Sequence, residues 1–304
     1  MQPKILTLLG RSKPLPLQKK NMPSPVIFTI GPLELRWYGL FAALAALVFY
    51  VLMAVRAKRW NLDASKIADL MILIIITGLI GARLEYVRRF WDVFFVDDFA
   101  GIFRVWEGGL VFQGGFIVAA LSCVVYSWLK KYPFGGVADL IALALPAAHA
   151  VARIGCFLNG CCFGRVWEHA GGVVYSAPGD VVLAIQKAQG VVPLDAAMPL
   201  PVLPVQLLES SWCALLALAI YWMERKKLFE SQRFFIYVLF YSIGRFFLEF
   251  LRGDYVPIPT GGTLTPAQST TLFFVLPAII LAMLITSYVK KRLIAPSHLQ
   301  KKTK

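Results

Sequence analysis

Charged side chains are scarce in this chain of 304 residues: Asp, Glu, Lys and Arg together make up 16%, against roughly a quarter in a water-soluble domain. That scarcity excludes a soluble globule. It also excludes the soluble nucleic-acid binder that a net charge of +14 would otherwise suggest, so no nucleic-acid partner is expected. Cysteine is sparse too, and three of the five (Cys156, Cys161, Cys162) fall in one short stretch, which is no basis for a disulfide scaffold. The opening residues lack a continuous apolar core followed by a small-residue cleavage site, so no signal peptide is expected. Internal repeats and low-complexity tracts are lacking as well.

What the chain has in excess is apolar length. Hydrophobic residues make up 58% and the mean hydropathy is +0.67. Runs near 36–55, 67–83, 110–129, 137–158, 206–223, 233–251 and 271–289 each approach the 17–25 residues a helix needs to cross about 30 Å of hydrocarbon. Pro- and Gly-marked connections separate them, which favours an all-α polytopic membrane bundle of about seven transmembrane helices over a barrel of ten-residue strands. With seven crossings, 16 Lys and Arg fall on one side and 12 on the other. The positive-inside rule then places the C-terminus in the cytoplasm and the N-terminus outside.

All five basic residues of the N-terminal segment precede Met22 and oppose that bias; without residues 1–21 the contrast is 16 to 7. Either a basic tail is exported or translation begins at Met22, and the charge rule favours the second. The expected organisation is a dispensable extension over 1–21, a membrane domain over 22–291 with a small extramembrane cap over 159–205, and a basic cytoplasmic tail over 292–304.

Ionisable groups inside a span are expensive and are kept mainly where they meet a partner, water or substrate, which singles out Arg153, Arg245 and Glu249. His149, Arg153 and Cys156 follow an i, i+4, i+7 spacing, one helical stripe, and Arg245, Glu249 and Arg252 repeat it. Two such stripes could face one cavity, or an Arg–Glu pair could simply lock helices together. A guanidinium offers forked donors of fixed charge, so two of them near one end of a bundle suit an anionic phospholipid headgroup. An enzyme acting on that lipid and a protein that moves it are both open at this point.

The chain resembles the bacterial phosphatidylglycerol–prolipoprotein diacylglyceryl transferase family. The resemblance rests on Arg36-Trp37-Tyr38-Gly39, the Gly108–Gly115 stretch, Arg153–Gly160, Pro204–Glu209 and Gly244–Arg252, in order over about residues 27–290. It implies seven spans in the plasma (inner) membrane and transfer of a diacylglyceryl group from phosphatidylglycerol to the lipobox cysteine thiol of a prolipoprotein, with release of glycerol phosphate. By the same analogy Arg153 and Arg245 would hold the lipid phosphate, Glu249 and Arg252 would support Arg245, and Tyr38 would line the cavity. Asn159 and Gly164 would shape the turn after the fourth span, with Gln113 and Gln206 among the substrate-binding positions. No metal or organic cofactor is implied.

The chain departs from the family pattern at three positions. The family's usual His of the glycine-rich stretch is Gln113, which cannot take a proton at neutral pH, and an Asn and a Glu of the Arg153 block are Cys156 and Cys161. Either another group supplies the base, or the protein is a lipid-binding or transport relative with altered chemistry. His149, the only His within a span, is the replacement base to test; its alternative is a histidine hydrogen-bonded between helices. Cys161 and Cys162 read as small packing residues, as a redox or acyl-carrying thiol, or as metal ligands with Cys156 and His149; no Cys-x-x-Cys spacing supports the last. Cys123 and Cys213 read as packing. The glycine pairs at 108–109 and 114–115 mark either close helix approach or a mobile gate. Trp106, Phe112, Trp212 and Trp222 read as interface anchors.

Overall fold

The computed structural model describes residues 20–31, 33–60, 62, 64–96, 98–105, 108–175, 181–254 and 264–294. Trp106, the side chain of Phe112 and most of the two expected terminal segments lie outside the described residues.

Each of the seven apolar runs is helical, and the molecule is a helical membrane bundle. Helices α1 (Trp37–Ala57), α2 (Ala64–Arg89), α3 (Phe112–Leu129) and α4 (Phe134–Asn159) are followed by a short α5 (Val181–Ala188). Next come α6 (Val205–Arg225), α7 (Arg233–Glu249), one turn α8 (Pro266–Thr270) and α9 (Leu276–Ile294), with α8 and α9 joined by a π-helical segment at Thr271–Val275. Five of these helices are long and apolar enough to cross a bilayer; the apolar part of α3, Gln113–Leu129, is shorter. The outward faces carry large exposed apolar side chains such as Val55, Leu121, Leu218 and Phe274, as expected where the solvent is lipid.

Helix α4 is the centre of the bundle. One side packs on α1 through Ala45, Phe49, Met53, Leu140, Ala144 and Ala148, and the other on α6 and α7 through Ala142, Leu143, Leu216, Ile220, Ile236 and Tyr237. Its small residues let the neighbours approach: a Cβ on Gly155 would lie 2.6 Å from that of Phe41. The α2–α3 hairpin is built the same way, since a Cβ on Gly114 would meet the Gly81 carbonyl at 2.4 Å. The second glycine pair therefore serves close helix approach. In the first pair, Gly109 lies at φ +74° with Arg83 and Tyr86 against it. Arg83 donates to the carbonyls of Gly101, Ile102, Gly108 and Gly109 at 2.5–3.0 Å, so the connection from α2 to α3 is held around a buried guanidinium.

Residues 160–175 and 181–204 form a small unit with a core of Phe163, Val173, Tyr175, Val182 and Val202. It is stitched to the end of α4 by the Tyr175 hydroxyl, which donates to the Phe157 carbonyl at 2.7 Å. Strand β1 (Lys20–Asn21) pairs in parallel with β4 (Val173–Val174) of this unit, and β2 (Val26–Ile30) with β3 (Leu33–Arg36) makes an antiparallel hairpin leading into α1. Two residues of the expected dispensable extension thus take part in the fold.

At the far end of α4, Asp139 and Arg233 form a fully buried pair, each side chain 1% exposed and 3.0 Å apart. Asp139 also accepts from the backbone N–H groups of Ser231 and Arg233, satisfying donors that α7 leaves unpaired at its start. Beside it Arg59 and Arg56 converge on Glu224. Of these charges the Asp139–Arg233 pair is fully enclosed, while Arg56 and Arg59 keep 28% and 29% of their side chains exposed.

Candidate functional site

The opposite end of α4, about 21 Å from Asp139 at 1.5 Å per residue, carries a different kind of charge cluster. Arg153 reaches across to α6, where its Nη2 lies 3.0 Å from Glu209 Oε1. The same oxygen accepts from the Tyr241 hydroxyl of α7 at 3.0 Å and lies 3.8 Å from His149 Nε2. Three helices therefore meet at one carboxylate. The His149 and Tyr241 rings are 4.9 Å apart, so the histidine is packed between Arg153 and Tyr241, one turn below the guanidinium on α4.

The second stripe is organised in the same way. Arg245 Nη1 lies 2.5 Å from Glu249 Oε2, and Arg252 Nε lies 3.9 Å from that oxygen. The Thr265 hydroxyl donates to Glu249 Oε1 at 3.0 Å while accepting from Gln268 N in the capping box that starts α8. Arg252 is chiefly engaged by Asp254, with its Nε donating to Oδ1 at 2.8 Å and a second contact from Nη2 to Oδ2. Tyr241 and Arg245, one turn apart on α7, link the stripes: Arg153, Glu209 and Arg245 all lie within electrostatic reach of Tyr241.

Exposure separates these arginines from Arg233, whose side chain is 1% exposed. The carboxylates Glu209 and Glu249 are each 1% exposed, but Arg153 and Arg245 retain 16% and 17%. A buried carboxylate orients each guanidinium, and each side chain keeps part of its surface exposed; Arg153 Nε is buried and has no hydrogen-bond partner among the described residues. Two partly exposed guanidiniums, each held by a buried carboxylate, have the chemistry to hold an anion such as a phosphate diester.

The other sequence-picked residues take varied places. Tyr38 stands half exposed at the start of α1, beside Gly155 and within electrostatic reach of Arg153 and the three clustered cysteines. Asn159 is the last residue of α4, its Oδ1 buried without a hydrogen-bond partner among the described residues. Gly164 allows close backbone approach: its N–H donates to the Leu203 carbonyl at 2.9 Å, it bridges to Arg252, and a Cβ would lie 2.6 Å from the Leu203 oxygen. Gln206 is buried and spends its amide on the Cys161 carbonyl at 2.8 Å, so it braces the turn after α4. Gln113 is exposed in the first turn of α3, with no hydrogen bond or ion pair to the Arg153 group among the described residues. Trp212 packs on Gly244 between α6 and α7, and Trp222 is exposed near the end of α6.

Sequence reasoning passed over Glu209, the residue on which the site is centred, although a carboxylate at the start of an apolar run carried the same signal as Glu249. Tyr241 and Thr265 gave no such signal. The Sγ atoms of Cys156, Cys161 and Cys162 lie within 4.8 Å of one another, and Arg153 Nη1 is 4.0 Å from that of Cys156.

The sequence model of the prolipoprotein diacylglyceryl transferase family matches residues 25–284. The chain belongs to that family. A phosphatidylglycerol–prolipoprotein diacylglyceryl transferase of Clostridium novyi is 32% identical over 88% of this chain and 98% of its own length. Similarly named proteins of Listeria innocua and Trichormus variabilis are 32% and 31% identical, covering 76% and 89% of this chain and 79% and 92% of their own lengths. Within the matched residues, the segments around Arg153, Pro204–Glu209 and Gly244–Arg252 are folded into one charge cluster.

Proposed function

We propose that this protein transfers a diacylglyceryl group from phosphatidylglycerol to the lipobox cysteine thiol of a prolipoprotein, in the plasma membrane of a bacterium. The observation that carries the reading is the pair of partly exposed guanidiniums, Arg153 and Arg245, each oriented by a buried carboxylate, in a chain of this family. They grip the phosphate in the substrate and stabilise the charge that grows on it as it leaves. The acceptor sulfur, as thiolate, attacks the glycerol carbon bearing the phosphate. A carbon–sulfur bond forms, the carbon–oxygen bond breaks, and glycerol phosphate departs with the electron pair. His149, next to Arg153, takes the thiol proton. Tyr38 lines the approach, and Asn159, Gly164 and Gln206 hold the turn that borders it, while Arg252 and Glu249 keep Arg245 in place and Gln113 contacts substrate from α3. The charge count supports an N-terminus outside, a C-terminus in the cytoplasm, and the Arg153 end of the bundle at the outer face. It also supports 1–21 as a dispensable extension, 159–205 as an outer cap and 292–304 as a cytoplasmic tail.

Purified protein in phosphatidylglycerol vesicles, given a lipobox peptide, should release glycerol phosphate in step with a peptide mass gain of one diacylglyceryl group. Gln113, Cys156 and Cys161 favour one other reading, a relative that binds anionic phospholipid without transferring it. Phosphatidylglycerol binding with no glycerol phosphate released would establish that reading instead.

A further inference from the structure

We propose that Cys156, Cys161 and Cys162 form a three-thiolate site for a thiophilic cation of the Zn²⁺ class, at the end of α4 beside Arg153. The sequence spacing argued against this, since ligands two residues apart are the usual signature. The fold supplies what the spacing lacks. Helix α4 ends on Gly160 in the left-handed region, φ +73°, and the Cys161 N–H turns back to the Cys156 carbonyl at 3.2 Å. Cys162 then adopts φ +59°, a region that a non-glycine residue enters at a cost and holds only where its surroundings fix it. Here they do: Gln206 donates to the Cys161 carbonyl, and Gly164 is tied to Leu203. The result is three sulfurs, from the last helical turn and the two residues after its cap, within 4.8 Å of one another.

That spacing is close to what a metal needs. Zn–S bonds of about 2.3 Å in a tetrahedral site put sulfurs about 3.8 Å apart, a contraction of about 1 Å, within the range of side-chain rotation. Thiolate ligands select soft cations over Mg²⁺ or Ca²⁺. Three thiolates around a divalent ion leave one net negative charge, and Arg153, 4.0 Å from Cys156 Sγ, faces it. Cys161 and Cys162 are partly exposed, which gives an ion a path in, and the fourth coordination position is left to water or an external ligand. Cys123 and Cys213 are buried within α3 and α6, outside the cluster, and serve as controls. Occupancy would pin the end of α4 to the loop leading to Gly164, on the border of the phosphate receptor.

The test uses full-length protein purified without a polyhistidine tag, held in lipid nanodiscs, stripped with chelator under reductant and titrated with Zn²⁺ or Cd²⁺. One equivalent should bind, read by elemental analysis for zinc and by the ultraviolet sulfur-to-cadmium charge-transfer band for cadmium. Cys161→Ser should weaken binding by about 100-fold, and a Cys123→Ser/Cys213→Ser variant should bind as the parent does. The cadmium titration of the parent protein carries the test even if a variant fails to fold. A parent protein with no charge-transfer band and three freely titrating thiols overturns the proposal. So does a disulfide between two of the three when thiols are trapped at lysis, which would make the trio a redox pair, or binding lost with Cys123 and Cys213.

Discussion

Arg153 of α4 and Glu209 of α6 form an ion pair of 3.0 Å in which the carboxylate is buried and the guanidinium is not. Glu209 is therefore a positioning residue for a cation that faces outward. Glu209→Gln keeps the shape and loses the charge, so Arg153 is held by a single neutral acceptor. Lipid affinity and turnover should both fall, and kcat/KM should drop by about 10–100-fold, the equivalent of about 1.4–2.8 kcal/mol. A double-mutant cycle with Arg153→Ala should show coupling of about 0.5–3 kcal/mol; strictly additive losses would mean that the two act separately.

Arg245 provides the comparison between charge and fork. Arg245→Ala should abolish transfer, and Arg245→Lys, which keeps the charge but loses the planar pair of donors, should stay strongly impaired. The assay is glycerol phosphate release by protein whose fold is checked by its unfolding temperature. Wild-type rates in both variants would remove Arg245 from the receptor.

His149 is tested by separating binding from turnover. His149→Gln should lower turnover by roughly 10²–10⁴-fold, the scale of a general base, with phosphatidylglycerol binding largely kept because both arginines are untouched. The rate–pH profile should lose its acidic limb. Unchanged turnover would make His149 a packing residue of the His149–Tyr241 contact.

At the other end of α4 the expectation is reversed. Asp139→Ala strands the buried Arg233 and should destabilise the protein by about 3–5 kcal/mol, seen as a lower unfolding temperature, while the folded fraction keeps its specific activity. A specific loss of activity at unchanged stability would give the Asp139–Arg233 pair a functional part.

Deleting residues 1–19 should leave insertion and activity intact, because that segment carries no motif and opposes the charge bias. Removing Lys20 and Asn21 as well also takes away the pairing with Val173–Val174, so the shorter form should melt slightly lower. Loss of activity on removing 1–19 alone would refute the dispensable extension.

The helical membrane bundle was legible in the sequence because length and hydropathy act locally: about twenty apolar residues in hydrocarbon have to satisfy their backbone within one helix. Arg153, Arg245 and Glu249 were legible for a related reason, the cost of a charge in a span. The same rule, applied to every span, also flags Asp139, Glu209 and Arg233, and it cannot say which of these are closed pairs and which face a ligand.

Only the tertiary structure decided that. Whether a buried arginine is sealed or open depends on which helices surround it. Arg233, enclosed by α4 and the start of α7, is 1% exposed, whereas Arg153 and Arg245, each backed by a carboxylate, keep 16% and 17% exposed. In the same way, the sequence determined that Cys156, Cys161 and Cys162 lie near one another along the chain. Their convergence to one point follows from the left-handed turn at Gly160 and Cys162 and from its bracing by Gln206, contacts between residues that spacing alone does not bring together.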